Sequence, residues 1–233
     1  MSTTANPPQA ATNVAKGPAA AGRPFLARVS WGLSRRLAAR AERFAIRRSL
    51  AAVGLRGCES LSTYTTREEL AALLKLAAAC PPGAAALEIG SYLGASSGYL
   101  AAGLAQVGGT LTCVDTWQNQ AMPDGERDTF AEFQRNLSPV RDRLIMIRKA
   151  TQELTSAELG GPFHLVFIDG DHSYDAVRRD FELIAPCVAP GGTVAFHDVL
   201  YHRGVTRLVG EAIASGALVP LGIVNNLIWL LRQ

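Results

Sequence analysis

Several features are scarce in this chain of 233 residues, and each scarcity narrows the choices. The four cysteines, Cys58, Cys80, Cys113 and Cys187, include no C-x-x-C pair. That excludes the usual zinc spacings and the dithiol redox motif. Cys113 and Cys187 lie in apolar runs, where a free thiol fills core space. Reduced thiols suit the cytoplasm. No apolar run approaches the ~20 residues of a membrane span. Acids are almost missing from residues 1–57, which carry ten Lys/Arg against Glu42 alone and so a charge of +9. Residues 58–233 carry thirteen Lys/Arg against nineteen acids, −6, within a chain that is +3 overall. So acidic a body offers no broad face to a nucleic-acid backbone, and nucleic acid is not an expected partner.

What is present is a globular composition, 48% hydrophobic and 18% charged, with length for one substantial core. Residues 1–24, rich in Ala, Pro, Gly and Thr, show no apolar period and read as a disordered tail. Residues 25–57 read as a basic amphipathic helix. Phe25, Val29, Leu33, Leu37, Ala41 and Ala45 form an i, i+4 row, and Arg fills much of the remainder. Such a helix packs on the domain, builds a homodimer contact, covers an acceptor, or lies on an anionic surface.

Residues 58–233 form the domain. Two overlapping capping boxes, Thr65 to Glu68 and Thr66 to Glu69, open an Ala/Leu-rich helix that Pro81-Pro82-Gly83 stops. Strands are expected at 84–89, 110–114, 144–148, 163–168 and 191–196. Helices are expected at 96–106, 128–137, 152–159, 173–185 and 205–215. Two final strands, 217–224 and 226–231, are joined too tightly for a helical crossover and should pair antiparallel. Repeated strand–helix units with right-handed crossovers give an α/β fold, a mostly parallel sheet with helices on both faces.

The most informative stretch is Leu87-Glu88-Ile89-Gly90-Ser91-Tyr92-Leu93-Gly94. Gly90 permits a sharp turn after the first strand, and Gly94 permits close approach of backbone to a ligand and of helix to strand. A dinucleotide site more often shows G-x-G-x-x-G. Here the spacing is G-x-x-x-G with Glu88 before it, a carboxylate that repels pyrophosphate and attracts a cationic amine. Asp115 ends the second strand, where it can accept hydrogen bonds from ribose hydroxyls. Trp117 either lies against an adenine face or packs within its loop. Ala150-Thr151-Gln152 follows the third strand, within reach of an adenine edge. Asp169, Asp171 and His172 follow the fourth strand, and His197-Asp198 end the fifth. Neighbouring parallel strands bring these groups to one mouth, where they can bind a divalent cation or move a proton. Asp171 and Asp175 can cap the next helix.

Glu88-x-Gly90-x-x-x-Gly94, Asp115, Ala150-Thr151-Gln152 and Phe167-Ile168-Asp169-Gly170-Asp171-His172 together resemble class I S-adenosylmethionine-dependent methyltransferases over residues 65–231. The resemblance is to the small-molecule O-methyltransferases, of the catechol, caffeoyl-CoA and "methyltransferase 24" types. It implies a Rossmann-like seven-stranded sheet of order 3-2-1-4-5-7-6 with strand seven antiparallel. It implies S-adenosyl-L-methionine bordered by Glu88 and Gly90 at its methionine part, Asp115 at its ribose, and Thr151 and Gln152 at its adenine, with Ser91, Gly94, Ser96, Thr116, Trp117 and Asp169 also among the cofactor-binding residues. It also implies a small-molecule acceptor. In catechol-type enzymes an Asp at the position of Asp169, and an Asp-Asn pair after the next strand, hold Mg²⁺, and a lysine stands where this chain has His172. The present His197-Asp198 pair leaves two readings open. Either Asp169, His197 and Asp198 hold Mg²⁺ or another divalent cation, or His172 or His197 acts as a metal-free base beside Asp169. An RNA methyltransferase using the basic arm, a non-catalytic cofactor-binding protein and an NAD-dependent oxidoreductase are the competing functions. The polar segment 118–128 near the mouth is the expected specificity loop.

Overall fold

A computed structural model describes residues 25–119 and 125–233, with side chains from residue 36 onward. The tail expected over 1–24 and residues 120–124 of the polar segment lie outside the described residues. The chain divides into two compact units, Met1–Glu42 and Arg43–Gln233. Helix α1 (Phe25–Ala52) begins in the first, where Leu37 is exposed. In the second, Ile46 and Leu50 of the same helix join the core while Phe44 is exposed.

The second unit is built on seven strands: β1 (Ala85–Ile89), β2 (Thr110–Asp115), β3 (Leu144–Arg148), β4 (Phe163–Ile168), β5 (Val188–Phe196), β6 (Leu218–Val224) and β7 (Leu227–Arg232). Their order is β3-β2-β1-β4-β5-β7-β6. β1 to β5 run parallel, and β7 runs antiparallel to both β5 and β6. β1 and β4 are buried on both faces because helices cover both. On one side α2 (Arg67–Ala78), α3 (Ala95–Ala105) and α4 (Phe130–Asn136) bury Leu73, Leu100 and Phe133 against Phe167. On the other, α5 (Ser156–Leu159), α6 (Tyr174–Ile184) and α7 (Arg203–Ala214) bury Leu159, Ile184 and Val209 against Val166 and Phe196.

Local chemistry accounts for the helix ends. Thr66 caps α2: its hydroxyl accepts from Glu69 N (3.3 Å), and the Glu69 carboxylate accepts from Thr66 N (2.7 Å). α3 lacks a polar face because it lies between α2 and the sheet. Its Gly103 packs on the Leu74 carbonyl, where no side chain would fit. α6 is capped by Ser173, whose hydroxyl accepts from Ala176 N, so the capping expected of Asp171 and Asp175 is not the arrangement found. Asp171 instead accepts from Ser173 N (2.7 Å). The helix expected at 152–159 is broken in two: a 3-10 turn (Thr151–Glu153) ends, and Thr155 opens α5 through bonds to Glu158. β5 begins three residues earlier than expected. Val188 pairs with Phe163 and Thr193 with Leu165, and the intervening bulge absorbs the Pro190-Gly191-Gly192 stretch. Among the described residues, no helix is long and apolar enough to cross a membrane.

Candidate active site

The parallel register sets the site. Ile89 pairs with Val114 and Ile168, and Ile168 pairs with Phe196. The residues just beyond these ends therefore emerge at one edge, Gly90, Asp115, Asp169 and His197. Backbone bonds fix them there: Gly90 N to Val114 O (3.0 Å), Asp169 N to Ile89 O (2.9 Å) and His197 N to Ile168 O (3.1 Å). Gly90 has φ +86°, and a side chain there would overlap the Asp169 carbonyl oxygen. The glycine turn and the Asp169 turn thus touch, and only glycine allows it.

The turn is organised by two carboxylates. Asp115 Oδ2 accepts from Ser91 N and Tyr92 N, both at 2.8 Å, and Oδ1 accepts from Trp117 N at 2.7 Å. An ionised carboxylate has about four acceptor sites, so Oδ2 is filled and Oδ1 keeps one. That leaves a free acceptor site on Oδ1 for the ribose hydroxyls expected at Asp115. Glu88 lies fully buried beneath the turn. Its Oε2 accepts from the hydroxyls of Ser91 (2.7 Å) and Ser97, while Oε1 has no partner. Burial pushes its carboxyl up to about 7, against the pull of the Ser96, Ser97 and Ser91 hydroxyls. Glu88 therefore acts on the turn from below, and direct contact with a cationic amine is not what this placement offers. Gly94, φ +90°, meets the Leu137 and Phe133 side chains, so its lack of a side chain serves packing rather than close approach to a ligand.

Trp117 departs from the adenine-stacking expectation. It is 1% exposed and packs against Phe130 and Phe133, with ring centroids 4.8 Å away in each case. Loop packing claims it because the indole gains more area in the core than at a rim. Thr116 accepts from Gln118 N through its hydroxyl (3.3 Å). Thr151 donates to Asp180 Oδ1 (2.6 Å), and Gln152 is exposed beside it. Ser96 is buried in the first turn of α3.

Across the Gly90–Asp169 contact stands a histidine–carboxylate cluster. His197 Nδ1 lies 3.2 Å from Asp169 Oδ1 and 3.5 Å from Asp198 Oδ2. Its other nitrogen, Nε2, lies 3.2 Å from Glu69 Oε2. His172 Nε2 lies 3.1 Å from Asp198 Oδ2 and 3.7 Å from Asp169 Oδ1, yet makes no hydrogen bond of good geometry. The His202 ring stacks on His172 at 4.2 Å, with its Nε2 3.9 Å from Asp198 Oδ2. Asp198 itself has φ +58°, a strained backbone of the kind kept at functional sites. Its carbonyl accepts from Tyr201 N and His202 N, which hold the strained turn.

These contacts set the charges. Burial opposes ionisation of Asp169 and Asp198, but the two imidazoles outweigh it and hold both carboxyls below their ordinary range. His172 is raised to about 9 by Asp169 and Asp198. His197, despite burial, is raised to about 11 by Asp169, Asp198 and Glu69. Both carboxylates thus favour the protonated form of His172 and of His197. Asp169 Oδ1, His197 Nδ1 and Asp198 Oδ2 lie within 4.8 Å of one another. That convergence, with the second His197 nitrogen tied to a carboxylate, fits a divalent cation. Mixed nitrogen and oxygen donors suit Mn²⁺, Fe²⁺ or Co²⁺ at least as well as Mg²⁺.

Residues 87–199 match the family model described as "Methyltransferase domain". Over those residues the chain is similar to that domain. Solved structures of similar fold include the O-methyltransferase NovP, 15% identical, covering 70% of this chain and 79% of that one at a TM-score of 0.60. They include the O-methyltransferase TomG of Streptomyces achromogenes, involved in tomaymycin synthesis and solved with S-adenosylmethionine, at 18% identity, 79% and 90% coverage and a TM-score of 0.56. A TDP-rhamnose 3'-O-methyltransferase of calicheamicin biosynthesis matches at 16% identity, 71% and 81% coverage and a TM-score of 0.55. At these identities the likeness is one of fold.

Sequence reasoning singled out Asp169, His172, His197 and Asp198, and the fold brings them together. It missed Glu69, Asp180 and His202. Glu69 and Asp180 carried a signal: each is an acid at a buried helical position, in line with Leu73 and Ala77 or with Ala176 and Ile184. His202 carried none, since it reaches the cluster through a turn.

Proposed function

We propose that this methyltransferase domain transfers the methyl group of S-adenosylmethionine to a hydroxyl of a small acceptor, a sugar or a glycosylated or other secondary metabolite. The observation that supports it best is the contact of Gly90 with Asp169. A donor held by the glycine turn and an acceptor held at the cluster would be immediate neighbours, and positioning is most of what methyl transfer needs. The similar folds act on such acceptors: TomG serves tomaymycin synthesis, and another methylates TDP-rhamnose.

Gly90, Ser91, Gly94 and Ser96, with Glu88 beneath, shape the methionine end. Asp115 Oδ1 and Thr116 take the ribose, and Trp117 contributes its backbone N–H, which orients Asp115. Thr151 and Gln152 face the adenine edge. S-adenosylmethionine supplies the methyl group on a sulfonium that leaves readily. Asp169, His197 and Asp198 would hold a divalent cation, which supplies Lewis acidity toward the acceptor oxygen. His172, at the rim of the cluster and partly exposed, accepts the hydroxyl proton; Asp169 and Asp198 hold the imidazolium that results. The raised His172 favours the cation reading. With both carboxylates uncompensated it keeps its own proton through neutrality and cannot act as a base. The enzyme works in the cytoplasm, where its free thiols stay reduced. The N-terminal helix, with Leu37 and Phe44 exposed, forms a dimer contact; light scattering of the full chain and of its Phe44→Asp variant tests that.

The deciding experiment is transfer of labelled methyl from S-adenosylmethionine to sugar-nucleotide, glycoside and phenolic acceptors, with Mn²⁺ or Mg²⁺ and with chelator. Transfer to a hydroxyl that chelator abolishes supports the reading. Binding of S-adenosylhomocysteine without transfer to any hydroxylated acceptor contradicts it, as does transfer indifferent to chelator for the cation.

A further inference from the structure

The geometry points to Glu69 as a positioning residue that fixes which His197 nitrogen faces the reaction cluster. Glu69 comes from α2, 128 residues before its partner, and is 1% exposed. A buried carboxylate needs its lone pairs filled. Oε2 takes Thr66 N at 2.7 Å, and Oε1 takes Asn226 N at 2.8 Å from the turn between β6 and β7. Asn225 of that turn donates to the Thr66 hydroxyl at 2.9 Å, tying the turn to the α2 cap. The α2 cap and the β6–β7 turn thus hold one carboxylate still, more than a helix cap requires. What they hold it against is His197 Nε2, 3.2 Å away.

Both Glu69 oxygens already accept from backbone N–H groups, so the carboxylate faces His197 as an acceptor and the nitrogen facing it carries the hydrogen. That leaves Nδ1 as the nitrogen presented to Asp169 Oδ1 and Asp198 Oδ2. Ring orientation follows as well, because the 3%-exposed imidazole is pinned at Glu69 on one edge and by the strand end at its Cα. Phe167 meets the ring edge-on at 6.3 Å and restricts rotation. Carboxylate, imidazole and the Asp169/Asp198 pair then form one line, the arrangement by which an outer carboxylate orients a histidine ligand. The inference rests on the cation reading of the proposed function for its consequence, and on the Glu69–His197 contact alone for its premise.

The test uses the full chain and two readouts. Two-bond 1H–15N correlation reports which ring nitrogen of His197 carries hydrogen. Mn²⁺ titration by electron paramagnetic resonance reports cation affinity. In the wild type Nε2 is protonated throughout the folded range. In Glu69→Gln the amide turns a donor or a weaker acceptor toward Nε2, the ring pattern changes, and Mn²⁺ binds at least ~tenfold more weakly. Leu73→Ala, which loosens α2 in the core and keeps the Thr66, Asn226 and His197 contacts of Glu69, lowers stability while leaving the ring pattern and Mn²⁺ affinity intact. A bare Nε2 in the wild type overturns the inference even if Glu69→Gln does not fold. So does a folded Glu69→Gln with unchanged ring signals, or a Leu73→Ala with the same loss. A wild type that binds no Mn²⁺ sinks the cation reading instead, and the ring signals still decide the role of Glu69.

Discussion

Replacing Glu88 by glutamine should change the pH dependence of stability by a predictable amount. Glu88 is fully buried, and its carboxyl is pushed from an ordinary 4.5 up to about 7. Between those values the folded chain holds a proton that the unfolded chain has released. Stability is therefore greatest below about 4.5 and falls as pH rises toward about 7, then levels, the reverse of a salt-bridged carboxylate. Ionising the group in the fold costs about 3 kcal/mol in all, of which about 2.5 kcal/mol falls between about pH 5 and about pH 8. Glutamine keeps an oxygen for the Ser91 and Ser97 hydroxyls and cannot ionise. Its amide nitrogen takes the place of the partnerless Oε1, which costs about 1–3 kcal/mol at every pH. The decisive quantity is the difference between wild type and Glu88→Gln in urea unfolding of the cofactor-free protein at the two pH values. It should move by about 2.5 kcal/mol in favour of the variant at the higher pH. Asp180, raised to about 6 by burial, titrates in an overlapping window but is common to both proteins and cancels. A difference that is the same at both pH values would refute the buried, late-titrating Glu88.

Asp115→Ala removes the acceptor for Ser91 N, Tyr92 N and Trp117 N, so S-adenosylhomocysteine should bind at least ~tenfold more weakly by calorimetry, as loss of a charged acceptor entails. His172→Ala should lower turnover at least ~tenfold with little change in that affinity, which steady-state kinetics and calorimetry together separate. Gly90→Ala forces a side chain onto the Asp169 carbonyl at positive φ and should cost roughly 1–3 kcal/mol in thermal unfolding along with cofactor binding. Thr66→Ala should cost about 1 kcal/mol in the same assay, the worth of a helix cap.

Much of this was legible in the sequence, for physical reasons. The strands β1, β2 and β4 are apolar runs ended by Gly90, Asp115 and Asp169, so burial and chain reversal are written side by side. Parallel pairing then carries those ends to one edge without further information. The same logic located His172, His197 and Asp198, since each follows a strand end. Side-chain partnerships were less readable. Glu69 reads as a cap because its local role is one, and its second role depends on a residue 128 positions away. Trp117 could pack or stack, and only the arrival of Phe130 and Phe133 from α4 decides for packing. The charge state of the histidines was out of reach, because composition does not reveal that two carboxylates converge on each ring.

The most direct test is a crystal structure of the full chain with S-adenosylhomocysteine and Mn²⁺. The ribose should hydrogen-bond Asp115 Oδ1, the sulfur should point over Gly90 toward Asp169, and Mn²⁺ should sit among Asp169, His197 and Asp198. A nucleoside bound away from Asp115, or a sulfur facing away from that cluster, would contradict the central claim that donor and acceptor meet across the Gly90–Asp169 contact.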